Sequence, residues 1–387
     1  MAAQVGTVEG VRRRNLSRLL TLVHQDGPIS RAALTDVTGL NRSTIGDLVA
    51  ELVAAGYVDE RAPDPSRRVG RPSPVVAARN TIIALVANPE VDAIEIAAVG
   101  LDRSIRARVR LPQQQLLTPE RTAQLIAEQR QAWVDAELAD SRILGVGLAV
   151  PGLVRASDGL VRHAPHLEWR DAPLRDLVEA GTGLPTTVGN DASLGAIAEH
   201  RFGAGRDVDD IVYLNGGASG IGGGLIVHGE PVRGVGGYAG EFGQNRPGID
   251  DPADRRADGG VLEDEVSRAR LLAAVGLDAA NDATLTAALE SSGADAVRDE
   301  LSRQRRILAT ALANAVNVLN PAMIVLGGFL GDVAGDGDDL TGLVRAKAMH
   351  ANGEHMHIRR AALAADRLHI GAAELAFSRI LGDPAVA

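Results

Sequence analysis

The chain has 387 residues, of which 45% are hydrophobic, and a formal net charge of −10. This length and apolar content favour a globular protein of two or three domains. The sequence has no cysteine, which excludes disulfides, a thiol nucleophile and a thiolate metal site. The longest apolar run, residues 144–154, is interrupted by glycines and Pro151, and no stretch resembles a signal peptide. We therefore expect a soluble, cytoplasmic protein that does not enter a membrane.

The charge is distributed unevenly along the chain. Residues 1–79 contain 11 Lys+Arg against 8 Asp+Glu, a net charge of +3, and the remainder contains 29 against 42, a net charge of −13. A basic head on an acidic body is typical of a DNA-binding module fused to a sensing domain, although a solvated arginine-rich arm gives the same count.

Three amphipathic helices are predicted in the head. Their apolar positions fall in residues 16–23, 33–37 and 45–53. Ser30 and Asn41 are the expected N-caps of the second and third helices, and Gly39 ends the second. Residues 57–60 then form a short predicted strand.

Three helices with a glycine turn between the second and third, followed by a strand, predict a winged helix-turn-helix over residues 10–62. The third helix would be the recognition helix, because its first turn offers polar groups that can reach base edges or phosphates in a major groove. These predicted DNA-binding residues are Asn41, Arg42, Ser43 and Thr44. The alternative is a three-helix interaction module, such as a dimerisation domain.

A basic segment over residues 63–79 follows the strand and is predicted as a wing and linker. It contains Arg67, Arg68 and the tripeptide Gly70-Arg71-Pro72. A Gly-Arg-Pro step can lay extended backbone along a minor groove with the arginine pointing inward. We include the three arginines among the predicted DNA contacts, although the segment on its own is only a basic linker.

Strands and helices alternate in residues 80–387. Strands are predicted at 81–86, 93–99, 143–150, 186–188, 211–214, 224–227 and 323–326, with helices at 174–180 and 307–319 and a glycine-rich turn at 216–223. This alternation predicts layered α/β structure with ligands bound at loops beyond the strand ends.

Two short motifs in this part of the chain carry polar groups suited to a ligand. The first is Gly-Asn-Asp-Ala-Ser at residues 189–193, and the second is Ala-Gly-Glu-Phe-Gly at residues 239–243. Alone, Asn190-Asp191 is a simple helix N-cap, and Glu241 could lie in a solvated turn. In this order, however, the motifs resemble the ROK family of bacterial sugar kinases, repressors and related open reading frames, and the head resembles that of its repressor branch, including the Gly-Arg-Pro.

The resemblance implies a two-lobed actin-like (ribonuclease H-like) domain behind the winged helix-turn-helix. It also implies that sugar hydroxyls are held by Asn190, Asp191, Glu241 and Glu263, and by Gln244, which replaces the family's histidine. Carboxylates and an amide supply the paired donors and acceptors that neighbouring hydroxyls require.

The sequence departs from the family's kinases at the first phosphate loop. Asn88-Pro89-Glu90-Val91-Asp92 stands where the kinases have Asp-x-Gly-Gly-Thr. Proline removes a backbone donor and the two acids add negative charge where phosphate would lie. Phosphoryl transfer depends on neutralising that charge, so we expect no kinase activity, no catalytic residue and no cofactor.

The family's structural zinc site is also altered. Its histidine and three cysteines correspond to Gln244, Asp254, Arg256 and Val261, which leave no thiolate or imidazole. We therefore expect no metal. The loop of residues 245–260 is expected either to be mobile or to be held by ion pairs among Asp250, Asp251, Asp254, Arg255 and Arg256.

Together these features predict a transcriptional regulator, most simply a repressor, that binds operator DNA as a homodimer or homotetramer and responds to a sugar or sugar derivative. The alternatives are an active ROK sugar kinase with a fused DNA-binding head and a regulator that no longer responds to any ligand.

Overall fold

The computed structural model describes residues 8–62, 73–335 and 338–385. The helices are α1 (Val8–Asp26), α2 (Arg31–Thr38), α3 (Arg42–Ala54), α4 (Pro119–Val134), α5 (Leu174–Thr182), α6 (Asp191–Phe202), α7 (Leu262–Glu265), α8 (Arg268–Ala274), α9 (Asp282–Ser291), α10 (Asp295–Leu319), α11 (Phe329–Ala334), α12 (Asp338–Lys347), α13 (His350–Gly353) and α14 (Arg367–Gly382). The strands are β1 (Ile29–Ser30), β2 (Val58–Arg61), β3 (Val75–Ala78), β4 (Ile82–Pro89), β5 (Ala93–Gly100), β6 (Ile105–Pro112), β7 (Arg142–Val150), β8 (Leu153–Val154), β9 (Val161–Ala164), β10 (Trp169–Ala172), β11 (Thr186–Asn190), β12 (Ile211–Gly217), β13 (Gly220–Val227), β14 (Glu230–Pro231), β15 (Met323–Gly328) and β16 (His357–Arg360).

The chain divides into two compact units. The first contains Met1–Ala149, Pro173–Val188 and Ala372–Ala387, and the second contains Val150–Ala172 and Gly189–Gly371. Each unit is therefore assembled from segments that are distant in sequence.

In the first unit, α1, α2 and α3 form the head with the cap residues that the sequence predicts. The Ser30 hydroxyl accepts a hydrogen bond from Ala33 N at 3.1 Å, and Gly39 ends α2 in the left-handed conformation. The Asn41 side chain accepts from Thr44 N at 2.8 Å. The fully buried apolar side chains of the three helices are Leu19, Leu20, Val23, Leu34, Ile45, Leu48, Val49 and Leu52.

A three-stranded sheet of order β1-β3-β2 completes the winged helix-turn-helix. The predicted strand at residues 57–60 is Val58–Arg61, and it pairs antiparallel with β3. Strand β3 lies inside the segment that the sequence assigned to the basic linker. The residues between β2 and β3 that could contact DNA, 63–72, lie outside the described residues.

The rest of the first unit is built on a five-stranded sheet of order β11-β7-β4-β5-β6. Strands β4 and β7 are parallel, and β5 pairs antiparallel with β4 and β6. Every residue of β4 is buried, as expected for a central strand.

The second unit has its own five-stranded sheet, of order β14-β13-β12-β15-β16. Helix α10 is amphipathic and buries Leu308, Leu312 and Val316 in the core of this unit. It ends at Asn320, which adopts the left-handed conformation ahead of Pro321. Among the described residues, no helix has the length and apolarity that crossing a membrane requires.

The glycine-rich run at residues 216–223, predicted as a turn, is mostly strand. The turn itself is therefore much shorter than predicted. Strands β12 and β13 pair antiparallel from Ile211 opposite Ile226 to Gly217 opposite Gly220, which leaves only Ala218 and Ser219 between them. Glycine usually weakens a strand; here it permits close packing on both faces, described below.

Candidate functional site

A cavity of about 560 Å³ lies in the second unit, beside the hairpin of β12 and β13. All five predicted sugar-binding residues line it: Asn190, Asp191, Glu241, Gln244 and Glu263. Residues separated by up to 73 positions in the sequence are thus brought to one place, which a set of unrelated caps and turns would not require.

Asn190 and Asp191 lie where β11 passes into α6. Asn190 is the N-cap of α6, since its Oδ1 accepts from Ser193 N at 2.9 Å, while its Nδ2 donates to Gly152 O at 3.1 Å. Asp191 Oδ1 accepts from Ala192 N at 2.8 Å. Burial raises the pKa of Asp191 to about 6, against the lowering effects of the Ala192 N–H and of the Arg367 charge. The pair therefore serves as a cap and also presents a carboxylate to the cavity.

Three further polar side chains, Glu241, Gln244 and Glu263, line the same cavity as Asp191. Burial, followed by the charges of Asp191 and Glu263, raises the pKa of Glu241. Glu263 is held in place by two donors, Ile221 N at 3.0 Å and Gln244 Nε2 at 2.6 Å. Gln244 thus forms a hydrogen bond with a second predicted sugar ligand.

The glycines of β13 allow these groups to converge. A Cβ on Gly222 would lie 2.6 Å from Ala192 Cβ, and one on Gly224 would lie 2.5 Å from Ala196 Cβ, both on α6. On the opposite face, a Cβ on Gly223 would lie 2.5 Å from Gly240 O. Because successive residues of a strand point to opposite faces, α6 and the segment bearing Glu241 both approach β13 at backbone distance.

Four other polar residues line the cavity without having been predicted: His163, His166, Asn215 and Ser219. Asn215 is 6% exposed, and its Oδ1 has no hydrogen-bond partner among the described residues. Such an atom is costly to bury unless something binds it. Its position at the start of the glycine run was the only sequence signal available.

The charged groups that line the cavity are predominantly acidic. Its lining contains three carboxylates and neither lysine nor arginine. It is therefore suited to a ligand that donates hydrogen bonds, and poorly suited to an anion.

The turn at Asn88–Asp92 lies in the first unit and is closed by its own contacts. The Arg110 guanidinium lies 3.2 Å from Glu90 and 3.0 Å from Asp92, and Glu90 N donates to Ala93 O at 2.8 Å. The backbone N–H of Glu90 and the Arg110 guanidinium are thus already in use, instead of being available to a phosphate.

The loop of residues 245–260 is held by ion pairs, but not by those that the sequence predicted. Asp254 pairs with Arg306 on α10 at 2.7 Å, and Asp250 pairs with Lys347 on α12 at 2.5 Å. The predicted pairing within the loop was wrong for these acids, because their partners lie 52 and 97 residues away.

The residues at the family's zinc position do not fit zinc. The Arg306 guanidinium holds the pKa of Asp254 below its usual range, so this carboxylate already has a cation. The Arg256 N–H donates to Glu265, and neither an amide such as Gln244 nor an apolar side chain such as Val261 replaces a thiolate. Among the described residues, no cluster of three or more His, Asp or Glu side chains could hold a metal ion.

The predicted DNA-contact residues of α3 lie at the surface of the head. Asn41, Arg42 and Ser43 are exposed and Thr44 is half-buried. Asn41 Oδ1 is engaged as a cap and also accepts from Ser43 Oγ at 2.7 Å, so its Nδ2 is the group left for a base. Arg67, Arg68 and Arg71 lie outside the described residues.

Comparisons with known proteins agree with this architecture. The sequence profile of the ROK family matches residues 91–379. A xylose repressor of Caldicellulosiruptor bescii is 26% identical over 81% of this chain and 83% of its own, and a glucokinase of Halalkalibacterium halodurans is 34% identical over 49% and 62%. The solved structure of a ROK family transcriptional regulator, a homolog of the E. coli Mlc protein, covers 96% of this chain and 97% of its own, with a TM-score of 0.75 and 22% identity.

The predicted fold class, an N-terminal winged helix-turn-helix followed by an actin-like α/β domain, is confirmed. The match over residues 91–379 covers most of the chain. The chain belongs to the ROK family.

Proposed function

We propose that the protein is a sugar-responsive transcriptional repressor that binds operator DNA through its head and an unphosphorylated sugar in the cavity of its second unit. The observation that carries this proposal is the convergence of Asn190, Asp191, Glu241, Gln244 and Glu263 on one cavity in a chain that begins with a winged helix-turn-helix. Similarity to a protein named xylose repressor supports it.

The exposed first turn of α3 supports the DNA-binding half. Among the described residues, no acidic group pairs with Arg42, whereas Arg12 and Arg31 pair with Glu51 and Glu60. An exposed, uncommitted arginine at the N-terminus of a recognition helix is suited to guanine or phosphate.

The cavity lining supports a neutral sugar. Hydroxyls can donate to the three carboxylates and accept from the Gln244 amide, which keeps one N–H beyond its bond to Glu263. The two N–H donors of Asn190 are used by Gly152 O and Asp191 Oδ1, so Asn190 holds Asp191 in place beside the sugar. A phosphate would meet three negative charges without a lysine or arginine in the lining. The effector class is therefore an unmodified sugar or a cationic derivative.

A purely regulatory role is supported by the closed turn at Asn88–Asp92. Phosphoryl transfer requires donors and cations arranged around the transferring group. Here Glu90 and Asp92 bring two negative charges, and their Arg110 partner is committed to them.

Signalling requires that the sugar bind unequally to DNA-competent and DNA-incompetent states. We propose a homodimer or a homotetramer, because paired heads match the two half-sites of a palindromic operator. Sugar would favour an arrangement of the heads that no longer fits the half-site spacing.

The first test is fluorescence anisotropy on the DNA upstream of the protein's own gene, with a panel of sugars and sugar phosphates. Salt-sensitive binding that one neutral sugar releases is the expected result. Binding that no sugar alters would contradict the sensing half and favour a ligand-independent regulator. Absence of binding to this DNA and to genomic fragments would contradict the DNA-binding half.

A second test separates ligand binding from folding. Glu241→Gln should abolish the sugar response and leave operator affinity unchanged, because this residue lines the cavity in a different unit from the head. The exposed Glu230→Gln is the matched control and should keep both properties. Loss of both in Glu241→Gln would indicate a folding role instead.

One observation favours kinase activity as a second candidate. Asp191, with its pKa raised to about 6 in the cavity, has the character of a general base able to accept a proton from a sugar hydroxyl. A coupled assay for sugar-dependent ATP consumption decides the matter: turnover that Asp191→Asn removes would establish the kinase, and no turnover is expected.

A further inference from the structure

Arg303, on α10, lies outside the cavity lining and is the centre of a buried hydrogen-bond network. It is 2% exposed, and all five of its N–H donors are used. Nε donates to Glu300 Oε2 at 2.9 Å, Nη1 donates to Asp254 O at 2.8 Å and to Glu265 Oε2 at 3.0 Å, and Nη2 donates to Glu265 O at 2.7 Å and to Glu300 Oε1 at 2.8 Å. A guanidinium is fully satisfied in this geometry, and an ammonium, with three donors, could not reproduce it.

Glu265 connects Arg303 to the loop of residues 245–260. Its carboxylate also accepts from Arg256 N at 3.0 Å and from Ala257 N at 2.9 Å. Burial alone would raise the pKa of Glu265, but these two N–H groups and Arg303 outweigh it and hold the pKa below its usual range. The Glu265 carboxylate is thus a buried anion that joins the loop, α7 and α10.

The short helix α7 links the Arg303–Glu265 contact to the cavity, because it carries both Glu265 and Glu263. A helix of four residues has little stability of its own, so its position depends on what it is fastened to. At about 100° per residue, Glu263 and Glu265 point to opposite faces of this turn. Glu265 faces Arg303, and Glu263 faces the cavity, where it meets Ile221 N and Gln244.

We propose that Arg303 is a positioning residue for the sugar site, because it fastens the turn that presents Glu263 to the cavity and holds the loop that follows Gln244. The expected effect of Arg303 on sugar binding rests on the proposed function. The anchoring of α7 and the loop by Arg303 does not depend on it. In a chain without cysteine, a buried Arg-Glu network thereby gives the loop a fixed position.

The anchoring is tested without sugar by limited trypsin digestion of the full chain. Cleavage after Arg255 and Arg256 should accelerate about tenfold in Arg303→Met, because the loop loses its buried attachment to α10, keeps only the Asp254–Arg306 pair with that helix, and opens more often. Arg298→Met removes an exposed arginine from the same helix and should not change the rate. An unchanged rate in Arg303→Met would overturn the proposal.

The effect on the site is tested by a double-mutant cycle on the affinity for the sugar that releases operator DNA. Arg303→Met should weaken sugar binding about tenfold, and should have less than about a twofold further effect in a Glu263→Gln background, since it acts through Glu263. Multiplicative effects would overturn the positioning role, and so would unchanged affinity in Arg303→Met.

Two precautions keep the outcomes distinct. If Arg303→Met fails to fold, Arg303→Lys keeps the charge with three donors and should show the same changes in smaller measure. If the unmodified protein binds no sugar while loop cleavage accelerates as expected, the anchoring stands and the proposed sugar response fails.

Discussion

His24 Nε2 lies 2.6 Å from Glu374 Oε1, and the two side chains are 0% and 3% exposed. His24 belongs to α1 of the head and Glu374 to α14, and both lie in the first unit. The other ring nitrogen, Nδ1, is 2.5 Å from Leu101 O. The head is also joined to the rest of this unit by a hydrogen bond from Ser17 Oγ to Leu381 O at 2.5 Å. The head is therefore joined to the rest of the first unit by a buried His24–Glu374 pair and a half-buried hydroxyl contact.

The buried pair predicts a large cost when one partner is removed. Glu374→Ala should lower the free energy of unfolding by about 3 kcal/mol, because His24 keeps its burial and loses its carboxylate. Glu374→Gln should cost about 1 kcal/mol, since an acceptor remains. The exposed Glu137→Ala should stay within about 0.5 kcal/mol of the unmodified protein. Urea unfolding measures all three, and equal losses in Glu374→Ala and Glu137→Ala would contradict the account.

Arg42 predicts a separable effect on operator recognition. Arg42→Ala should weaken specific binding by about 1–3 kcal/mol and relax the base preference at one position, if the guanidinium reads a base edge. Uniform weakening with a salt slope reduced by about 1 would instead indicate a phosphate contact. Arg170→Ala removes an exposed arginine from β10 and serves as the control. Anisotropy on a set of singly substituted operators distinguishes these outcomes, and unchanged binding would contradict the docking of α3.

The parts of the fold that local signals determine could be predicted from the sequence. Ser30 and Asn41 cap the helices assigned to them, because a cap acts over three residues. The glycine run at 216–223 was misjudged because its cause is not local: Gly222 and Gly223 accommodate α6 and Gly240 on opposite faces. Nothing near Gly222 in the sequence signals that packing.

The candidate site shows the same division. The five sugar-binding candidates could be chosen from motifs, because the family resemblance supplies what spacing cannot. The partners of the loop and of Glu265, which are Arg303, Arg306 and Lys347, could not be chosen, because an ion pair between residues 38 to 97 positions apart leaves no local pattern. His24 and Glu374, 350 residues apart, were missed for the same reason.

The raised pKa of Asp191 predicts a pH-dependent affinity for sugar. A carboxylate with a pKa of about 6 is ionised above that pH and accepts hydrogen bonds from sugar hydroxyls. Affinity should therefore be constant above about pH 7 and fall as the pH drops through about 6, by up to tenfold per unit well below it. Calorimetric titration between about pH 5 and pH 7.5 measures the profile.

The control for this profile is Asp191→Asn, assayed at higher sugar concentration because its binding should be weaker. It should remove the part of the pH dependence that comes from Asp191, while any part due to the raised pKa of Glu241 remains. Affinity that rises on acidification would show that the protonated acid is the form that binds the sugar.

The charge of the cavity predicts discrimination against phosphorylated sugars. With an effective dielectric constant of about 20, two unit charges about 6 Å apart repel by roughly 3 kcal/mol, and three carboxylates line the cavity without a cation among them. Even after screening by salt, a sugar phosphate should bind at least about tenfold more weakly than its neutral parent. Competition between the sugar phosphate and its neutral parent for the unmodified protein gives the ratio of their affinities.

The control for the effect of charge is the corresponding deoxy sugar, which loses the same hydroxyl without adding charge and separates the lost hydrogen bond from the repulsion. Equal or tighter binding of the phosphate would contradict the prediction and would require a cation supplied from beyond this lining.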